Sequence, residues 1–376
     1  MEQVRAAVIG FGGMGRQYAK MIYDGEIEGM TLAGVCCRNQ EGQAVLRNEY
    51  PGISIYQNVE EMLTHPAEYD AAVIVTPHTS HVEIGLQMVK AGKHILMDKP
   101  AGVCAKEVNA LIQAAEEAHV SFGMIFNNRE NPVFVKAKEM LDAGALGRIQ
   151  RAVWVCNTWY RTPAYHHSAP WRSSWNGERG GLLINQSQHY LDLWQWLLGM
   201  PDSVLAVLDY GKYNDFLVDD SAELQFSYRN GIRGTFLTAS GEAPGVNRLE
   251  IWGTMGRLCI EDTSRLTFYE NVMSTDEFAK TNTEIYGMLD YTVKEIPTEK
   301  DERGYQKLLA NFSAHLRDGV PLLADGREGL KSVVLMNGAY LSSWLERRIS
   351  LPAEEALYLE MLEEKMEQER AWKEKH

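Results

Sequence analysis

Three groups of residues in this 376-residue chain have types and spacings that can do chemistry. The first is Gly10-Phe11-Gly12-Gly13-Met14-Gly15, a G-x-G-x-x-G that follows the apolar run Val4–Ile9 and opens a helical pattern from Met14 to about Tyr23. Strand, glycine turn and helix in that order are the context a dinucleotide needs. Gly10 permits the tight turn, Gly12 admits a pyrophosphate close to the backbone, and Gly15 lets helix and strand pack. Phe11, Gly13 and Met14 belong to the same cofactor-binding turn. The helix N-terminus behind it presents free N–H groups to phosphate. The second group is Cys36-Cys37-Arg38-Asn39, about where a dinucleotide fold distinguishes NAD from NADP. It holds no Asp or Glu for a ribose 2′-hydroxyl. NAD is the expected cofactor, with NADP left open, and Cys37 and Arg38 are its expected neighbours. Arg38 can face a 2′-phosphate or stack on adenine. The third group runs from Trp154 to Trp175 and includes Trp159, Tyr160, Tyr165, His166, His167 and Trp171, with Arg161 and Arg172 among them. Aromatic faces cover apolar C–H patches while their tips and the guanidinium groups donate hydrogen bonds, which suits a sugar ring or a glycoside. Tyr165, His166, Trp171 and Arg172 are the expected substrate wall. His166 and His167 lack a third ligand at suitable spacing, so no metal site is expected.

These groups need a frame. Apolar runs at Val4–Ile9, Thr31–Cys37, Ala71–Thr76, His94–Met97 and Val120–Ile125 alternate with helical patterns, which predicts βαβ units and a parallel sheet. After about Asn128 the pattern changes. A helix over Pro132–Ala143 is followed by a strand at Ile149–Trp154. Short β runs then come at Ala222–Tyr228, Ile232–Thr238, Leu249–Gly253, Leu258–Ile260 and Leu266–Tyr269, with Asn230-Gly231 as a hairpin signal. The fold class is therefore α/β: an N-terminal Rossmann dinucleotide-binding domain plus a C-terminal α+β domain with a large, mostly antiparallel open sheet. The expected divisions are residues 1–127 for the nucleotide domain, 128–352 for substrate binding and oligomerisation, and 353–376 for a helical tail. In that tail Tyr358, Leu362 and Met366 fall at i, i+4 and i+8, giving a helix that is solvated or packs on a partner subunit.

Composition excludes several classes. With 37 Lys plus Arg against 51 Asp plus Glu, the formal net charge is 37 − 51 = −14. That argues against binding a nucleic-acid backbone. Five scattered cysteines do not make a disulfide framework, so a reduced, cytoplasmic protein is expected. No apolar stretch reaches the roughly 20 residues of a membrane span.

Two further segments carry a family resemblance. Thr76-Pro77-His78-Thr79-Ser80-His81 precedes Ala91-Gly92-Lys93-His94-Ile95-Leu96-Met97-Asp98-Lys99-Pro100, and Gly180-Gly181-Leu182-Leu183-Ile184-Asn185-Gln186-Ser187-Gln188-His189-Tyr190-Leu191-Asp192 follows later. With the glycine turn, the chain from Val4 to about Leu351 resembles the glucose–fructose oxidoreductase / inositol dehydrogenase / rhizopine-catabolism (Gfo/Idh/MocA) family. Asp98 stands where the family usually has Glu, and His78 where many members have Asn. The resemblance implies hydride transfer between a nicotinamide and a carbon bearing a hydroxyl. It also implies homo-oligomers, dimers or tetramers, built through the open sheet. Thr76, Pro77, His78, His81, Asp98 and Lys99 become expected cofactor neighbours.

Hydride has no side-chain carrier, so the protein must handle the proton and hold the hydroxyl. Lys99, by resemblance near the nicotinamide, is one expected acid, base or donor. His189 is the other, because its unperturbed pKa is near neutral. Asn185 and His189 share a face if that stretch is helical. Asn185 replaces an Asp of inositol-dehydrogenase-like members and, as an amide, cannot be a base. It and Asp192 are expected to bind substrate, Asp192 alternatively orienting His189 or packing its helix. The expected function is a nicotinamide-dependent oxidoreductase acting on a ring hydroxyl, at C3 for a hexose, of a sugar or glycoside. The cofactor can also be one retained through turnover. A keto-sugar reductase and a cyclitol dehydrogenase remain alternatives, and a non-catalytic dinucleotide-binding sensor is the alternative of another class.

Overall fold

The computed structural model describes residues 2–375. In chain order the first elements are β1 (Val4–Ile9), α1 (Gly13–Tyr23), β2 (Met30–Cys36), α2 (Gln40–Glu49), β3 (Ser54–Tyr56), α3 (Val59–Leu63), β4 (Ala71–Ile74), α4 (His81–Lys90), β5 (His94–Asp98), α5 (Ala105–Glu117) and β6 (Phe122–Ile125). Then come α6 (Pro132–Asp142), β7 (Ile149–Cys156), α7 (Pro163–His166), α8 (Gln188–Leu198), β8 (Ser203–Tyr210), β9 (Asp219–Ser227), β10 (Arg233–Ala239), β11 (Asn247–Gly253), β12 (Gly256–Glu261) and β13 (Arg265–Asn271). The last are α9 (Thr275–Thr281), β14 (Tyr291–Ile296), α10 (Gly304–Asp318), α11 (Gly326–Trp344), β15 (Ile349–Ser350) and α12 (Glu355–Lys373).

Two compact units result: the residues up to Glu130 with Arg303–Val333, and Asn131–Glu302 with the residues from Val334 on. The expected boundaries at 127 and 352 assume that each domain is one stretch of chain, and the chain departs from this by returning to the first unit. The reason is the apolar face of α10. Leu308, Leu309 and Phe312 are at most 3% exposed and join the core formed by Val4, Ala6, Val8, Leu96 and Ile125. Burying each such side chain is worth about 1.5–3 kcal/mol. Ser313 adds a hydrogen bond to the Glu28 carbonyl at 2.8 Å.

The first unit holds a six-stranded sheet in the order β3-β2-β1-β4-β5-β6, with every pair parallel. β1 and β4 run VRAAVI and AAVI, almost wholly buried as strands covered on both faces must be. The strand order reverses between β1 and β4, and the crevice at the carboxyl ends there is where such sheets take ligands.

The second unit holds a nine-stranded sheet in the order β14-β13-β12-β11-β7-β10-β9-β8-β15. Only β7 and β10 pair in parallel. Asn230-Gly231 does turn β9 into β10, with Gly231 at φ +95°. One sheet face is core: β11 alternates buried Leu249 and Ile251 with half-buried Glu250 and Trp252. Trp154 on β7 is fully buried against Phe134, Tyr190 and Phe236. Its indole N–H donates to Asn247 Oδ1 at 2.9 Å, and Asn247 donates to the Tyr190 hydroxyl at 2.9 Å. β3, β8, β14 and β15 were not among the strands expected from the sequence. β14 is exposed at five of six positions, so no burial pattern marks it.

The C-terminal helix forms but is neither free in solvent nor in need of a partner to cover it. Tyr358 and Leu362 are 1% and 4% exposed against the chain's own second unit, and Tyr358 stacks on Trp344 at 5.7 Å. Glu369, 2% exposed, accepts from Ser174 Oγ (2.8 Å), Asn176 N (2.9 Å), Asn176 Nδ2 (2.8 Å) and Trp175 N (3.2 Å).

Candidate active site

In the first unit the glycine turn joins β1 to α1. Gly10 has φ +101°, and a Cβ there would lie 2.6 Å from the Val75 carbonyl oxygen. A Cβ on Gly15 would lie 2.0 Å from the Gly10 carbonyl oxygen, so helix and turn touch backbone to backbone. Gly12 and Gly13 differ: they are exposed, and a Cβ on either meets nothing within 4 Å. No side chain caps α1 at Gly12. Uncapped N–H groups at a helix start, facing open space at the reversal of strand order, fit a pyrophosphate. Phe11 and Met14 turn their side chains inward. Phe11 is core and packs on Tyr50, so only its backbone is left for a ligand, and Met14, half-buried, packs against the same cluster.

At the end of β2, Cys37 is buried, and its carbonyl accepts from Gln43 Nε2 at 2.8 Å. Asn39 caps α2 by accepting from Glu41 N and Gly42 N. Arg38 is exposed.

The ends of β4 and β5 are tied by His81. Its Nδ1 lies 2.7 Å from the Pro100 carbonyl oxygen and its Nε2 2.7 Å from that of Thr76. The ring is 1% exposed, so His81 holds two site segments together and does not itself reach a ligand. Burial pushes its pKa down, against the pull of those carbonyls and of Asp98. Asp98 accepts from Lys99 N at 2.8 Å. Desolvation pushes the Asp98 carboxyl pKa up, against the lowering effect of Lys99 and His81. Lys99 follows directly, half-buried, with a cis bond to Pro100. Thr76 receives the Ser80 hydroxyl at 2.8 Å, Pro77 accepts a second bond from it, and His78 is buried edge-on to His81.

In the second unit the Gly180–Asp192 segment is organised by Asp219, a residue the sequence reading did not single out. Asp219 is 1% exposed and accepts from Gly181 N (2.8 Å), Leu183 N (2.7 Å) and the Tyr340 hydroxyl (2.7 Å). A Cβ on Gly181 would lie 2.2 Å from the Asp219 carbonyl oxygen, which is why this glycine is needed. Residues 182–187 are therefore turns, and α8 starts at Gln188. The expectation that Asn185 and His189 share a helical face does not hold. Asn185 lies before the helix and donates to Glu178 Oε2 at 2.9 Å, while His189 is in its first turn, edge-on to Trp159. Asp192 is buried and accepts from Gln195 at 3.1 Å.

The aromatic segment divides in two. Trp154 and Trp175 are core. Tyr165, His166, Trp171 and Arg172 do come together. Arg172 stacks 4.4 Å from the Tyr165 centroid and 4.6 Å from that of Trp171, and its Nη1 donates to the Tyr165 hydroxyl at 2.6 Å. Gln186 donates to that hydroxyl at 2.8 Å, joining this wall to the Asn185 turn. A second link runs through Glu178, whose Oε1 accepts from Ser173 N at 2.6 Å, and Ser173 Oγ lies 2.6 Å from His166 Nδ1. Burial, then Arg172, His167 and Arg161, push the His166 pKa down to about 4, so the ring is neutral at pH 7. Sequence reading missed Glu178 and Glu369 as well as Asp219. Glu369 had a signal, an acid continuing the apolar stripe of Tyr358, Leu362 and Met366; Glu178 had only its glycine-rich neighbourhood.

The family model described as "Oxidoreductase family, NAD-binding Rossmann fold" matches residues 4–126, and the GFO/IDH/MocA C-terminal domain matches 134–259. The chain belongs to the GFO/IDH/MocA oxidoreductase family. Among GFO/IDH/MocA relatives, it is 23% identical over 363 residues to the myo-inositol 2-dehydrogenase of Thermotoga maritima, covering 94% of this chain and 100% of that one. It is 24% identical over 368 residues to the scyllo-inositol 2-dehydrogenase (NADP(+)) IolW of Bacillus subtilis, covering 93% and 97%. In fold it resembles the WlbA dehydrogenase of Bordetella pertussis, solved with NADH and UDP-GlcNAcA, at a TM-score of 0.78, 24% identity and coverage of 94% and 100%. It also resembles levoglucosan dehydrogenase, solved with NADH and levoglucosan, at 0.76, 20%, 93% and 100%. It is a GFO/IDH/MocA oxidoreductase with a Rossmann nucleotide unit and a mostly antiparallel second unit.

Proposed function

We propose that this chain is an NAD-dependent dehydrogenase that oxidises a ring hydroxyl, C3 in a hexose, of a sugar or glycoside. The observation that carries this reading is the wall of Tyr165, Trp171 and Arg172, hydrogen-bonded to Gln186 beside Asn185 and leading into His189. A bound nicotinamide supplies the hydride acceptor that no side chain provides. The backbone of Gly10–Gly15 would hold its pyrophosphate, with Arg38 beside the adenosine ribose and Thr76, Pro77 and His78 at the end of β4. Lys99 and His189 take or give the hydroxyl proton. Asn185 is fixed by Glu178 and orients substrate by hydrogen bonds, and Asp192 supports α8 at His189. Arg38, with no acid beside it, leaves NADP as the second cofactor, and retention through turnover would appear as absorbance of reduced nicotinamide in the purified protein.

The full-length inositol dehydrogenase relatives favour a cyclitol as the second reading. Keto-sugar reduction is the same reaction reversed. The test is a panel of sugars, glycosides and cyclitols with NAD and NADP, run on wild type and Lys99→Met. We expect turnover in the wild type, with Lys99→Met at least a thousandfold slower but binding NADH normally. Wild-type rates in Lys99→Met would remove Lys99 from the mechanism, and NADH binding without turnover of any polyol would favour the sensor.

A homo-oligomer is part of the proposal. β14 is a sheet edge whose Tyr291 and Val293 are 59% and 58% exposed, and the loop before it exposes Ile285, Tyr286 and Met288 at 85–90%. A cytoplasmic setting is supported by five unpaired, buried cysteines. No helix among the described residues is long and apolar enough to cross a membrane.

A further inference from the structure

Arg161 and Arg172 converge on one ring. The Arg161 guanidinium carbon lies 4.8 Å from the Tyr165 centroid and that of Arg172 lies 4.4 Å from it. Two like charges held over the same ring repel each other. Several arginines of this acidic chain are paired: Arg5, Arg148, Arg248, Arg257 and Arg265 each have a carboxylate within 3.0 Å. Among the described residues neither Arg161 nor Arg172 has a carboxylate partner. Arg161 Nη1 reaches only the Tyr160 carbonyl, and Arg172 donates to Ser168 and Tyr165. The carboxylate of Glu178 is engaged by Ser173 N and Asn185.

A second, separate observation lies beside them. Arg161 Nε and His166 Nε2 are buried nitrogens without a hydrogen-bond partner, and the His166 residue is 91% buried (9% exposed). His166 Nδ1 is engaged with the Ser173 hydroxyl, so Nε2 is the ring nitrogen left unmet, and it is a donor in the tautomer where that hydroxyl donates to Nδ1. Two cations without carboxylates, an unmet Arg161 N–H and an unmet His166 nitrogen around one tyrosine ask for a partner with negative charge and several oxygens.

We propose that the substrate carries an anionic oxyacid group, a carboxylate or phosphate on the sugar, which Arg161 and Arg172 bind beside Tyr165. This rests on the sugar dehydrogenase reading above and narrows it from neutral polyols to sugar acids or sugar phosphates. The group binds away from the oxidised carbon, so it fixes which hydroxyl is presented and takes no part in hydride transfer.

The test uses three hexoses that differ at C6: glucose, glucuronate and glucose 6-phosphate. Each is titrated into the intact protein saturated with NADH, following tryptophan fluorescence, with wild type, Arg161→Gln and Arg172→Gln. NADH is titrated first as a control for folding and for the cofactor site. We expect at least one anionic hexose to bind tenfold or more tightly than glucose, with the better of the two deciding between carboxylate and phosphate. Each arginine variant should weaken that anion tenfold or more beyond whatever it does to glucose binding, and bind NADH as the wild type does. If both anions bind no tighter than glucose, or if the variants lose nothing, the proposal is overturned. A wild type that does not bind NADH would instead overturn the dehydrogenase reading itself.

Discussion

Gly12 and Gly15 stand in one turn yet are glycine for different reasons. A Cβ on Gly15 meets the Gly10 carbonyl at 2.0 Å, whereas one on Gly12 meets nothing. Gly15→Ala should therefore cost about 1–3 kcal/mol of stability, as overpacking does, read as a lower urea midpoint. Gly12→Ala should keep the wild-type midpoint within about 0.5 kcal/mol and weaken NADH at least tenfold, because the added methyl occupies phosphate space. An unchanged NADH affinity in Gly12→Ala would remove the pyrophosphate from this turn. The turn was legible in the sequence because glycine spacing reports backbone geometry directly. The roles of His81, Phe11 and Met14 were not, since whether a side chain faces a ligand or the core depends on Pro100, Thr76 and Tyr50.

At the scale of elements, α12 is a latch on the Ser174–Asn176 turn that directly follows the wall of Tyr165, Trp171 and Arg172. Besides Glu369, the Met366 carbonyl accepts from Asn176 Nδ2 and Arg370 donates to Asn176 Oδ1. Glu369→Ala leaves several buried donors unmet and should destabilise the protein by on the order of 2 kcal/mol in urea unfolding. Glu369→Asp, too short to reach the same turn, should not rescue it; a wild-type midpoint in either variant would dissolve the latch. Burial pushes the Glu369 pKa up, but the bonds from Asn176 and Ser174 outweigh it and hold the carboxyl below the usual 4.5. The stabilisation is thus complete above that unfolded value and is lost as pH falls through the lower folded one. Unfolding midpoints compared between pH 7 and pH 3 should drop less in Glu369→Gln than in the wild type. Periodicity showed the helix in the sequence, but not what it covers, because an apolar stripe names no partner. Whether Asn185 and His189 share a helical face was left open in the sequence for a related reason: Asp219, over 25 residues further on, holds the backbone of Gly181 and Leu183, and the helix starts only at Gln188.

For the whole molecule, 51 acids against 37 bases make charge a question of placement. The N–H groups that open α1 have no side-chain cap, and two arginines with no carboxylate partner among the described residues, Arg161 and Arg172, flank Tyr165. Self-association should be read in sedimentation velocity as a mass that is a multiple of the single chain. Tyr286→Asp together with Ile285→Asp should reduce it to one chain; a wild type that sediments as a single chain would end that proposal.

The sequence by itself determined the α/β frame, the dinucleotide turn and the family, because period-2 and helical patterns and glycine spacings are local properties of the chain. Tertiary structure alone decided that residues 303–333 return to the nucleotide unit, that α12 closes over the Ser174 turn, and that Arg161 and Arg172 meet on one ring. Those outcomes depend on which buried surfaces and hydrogen-bonding groups find each other across up to about 300 residues, and no local pattern encodes such pairings.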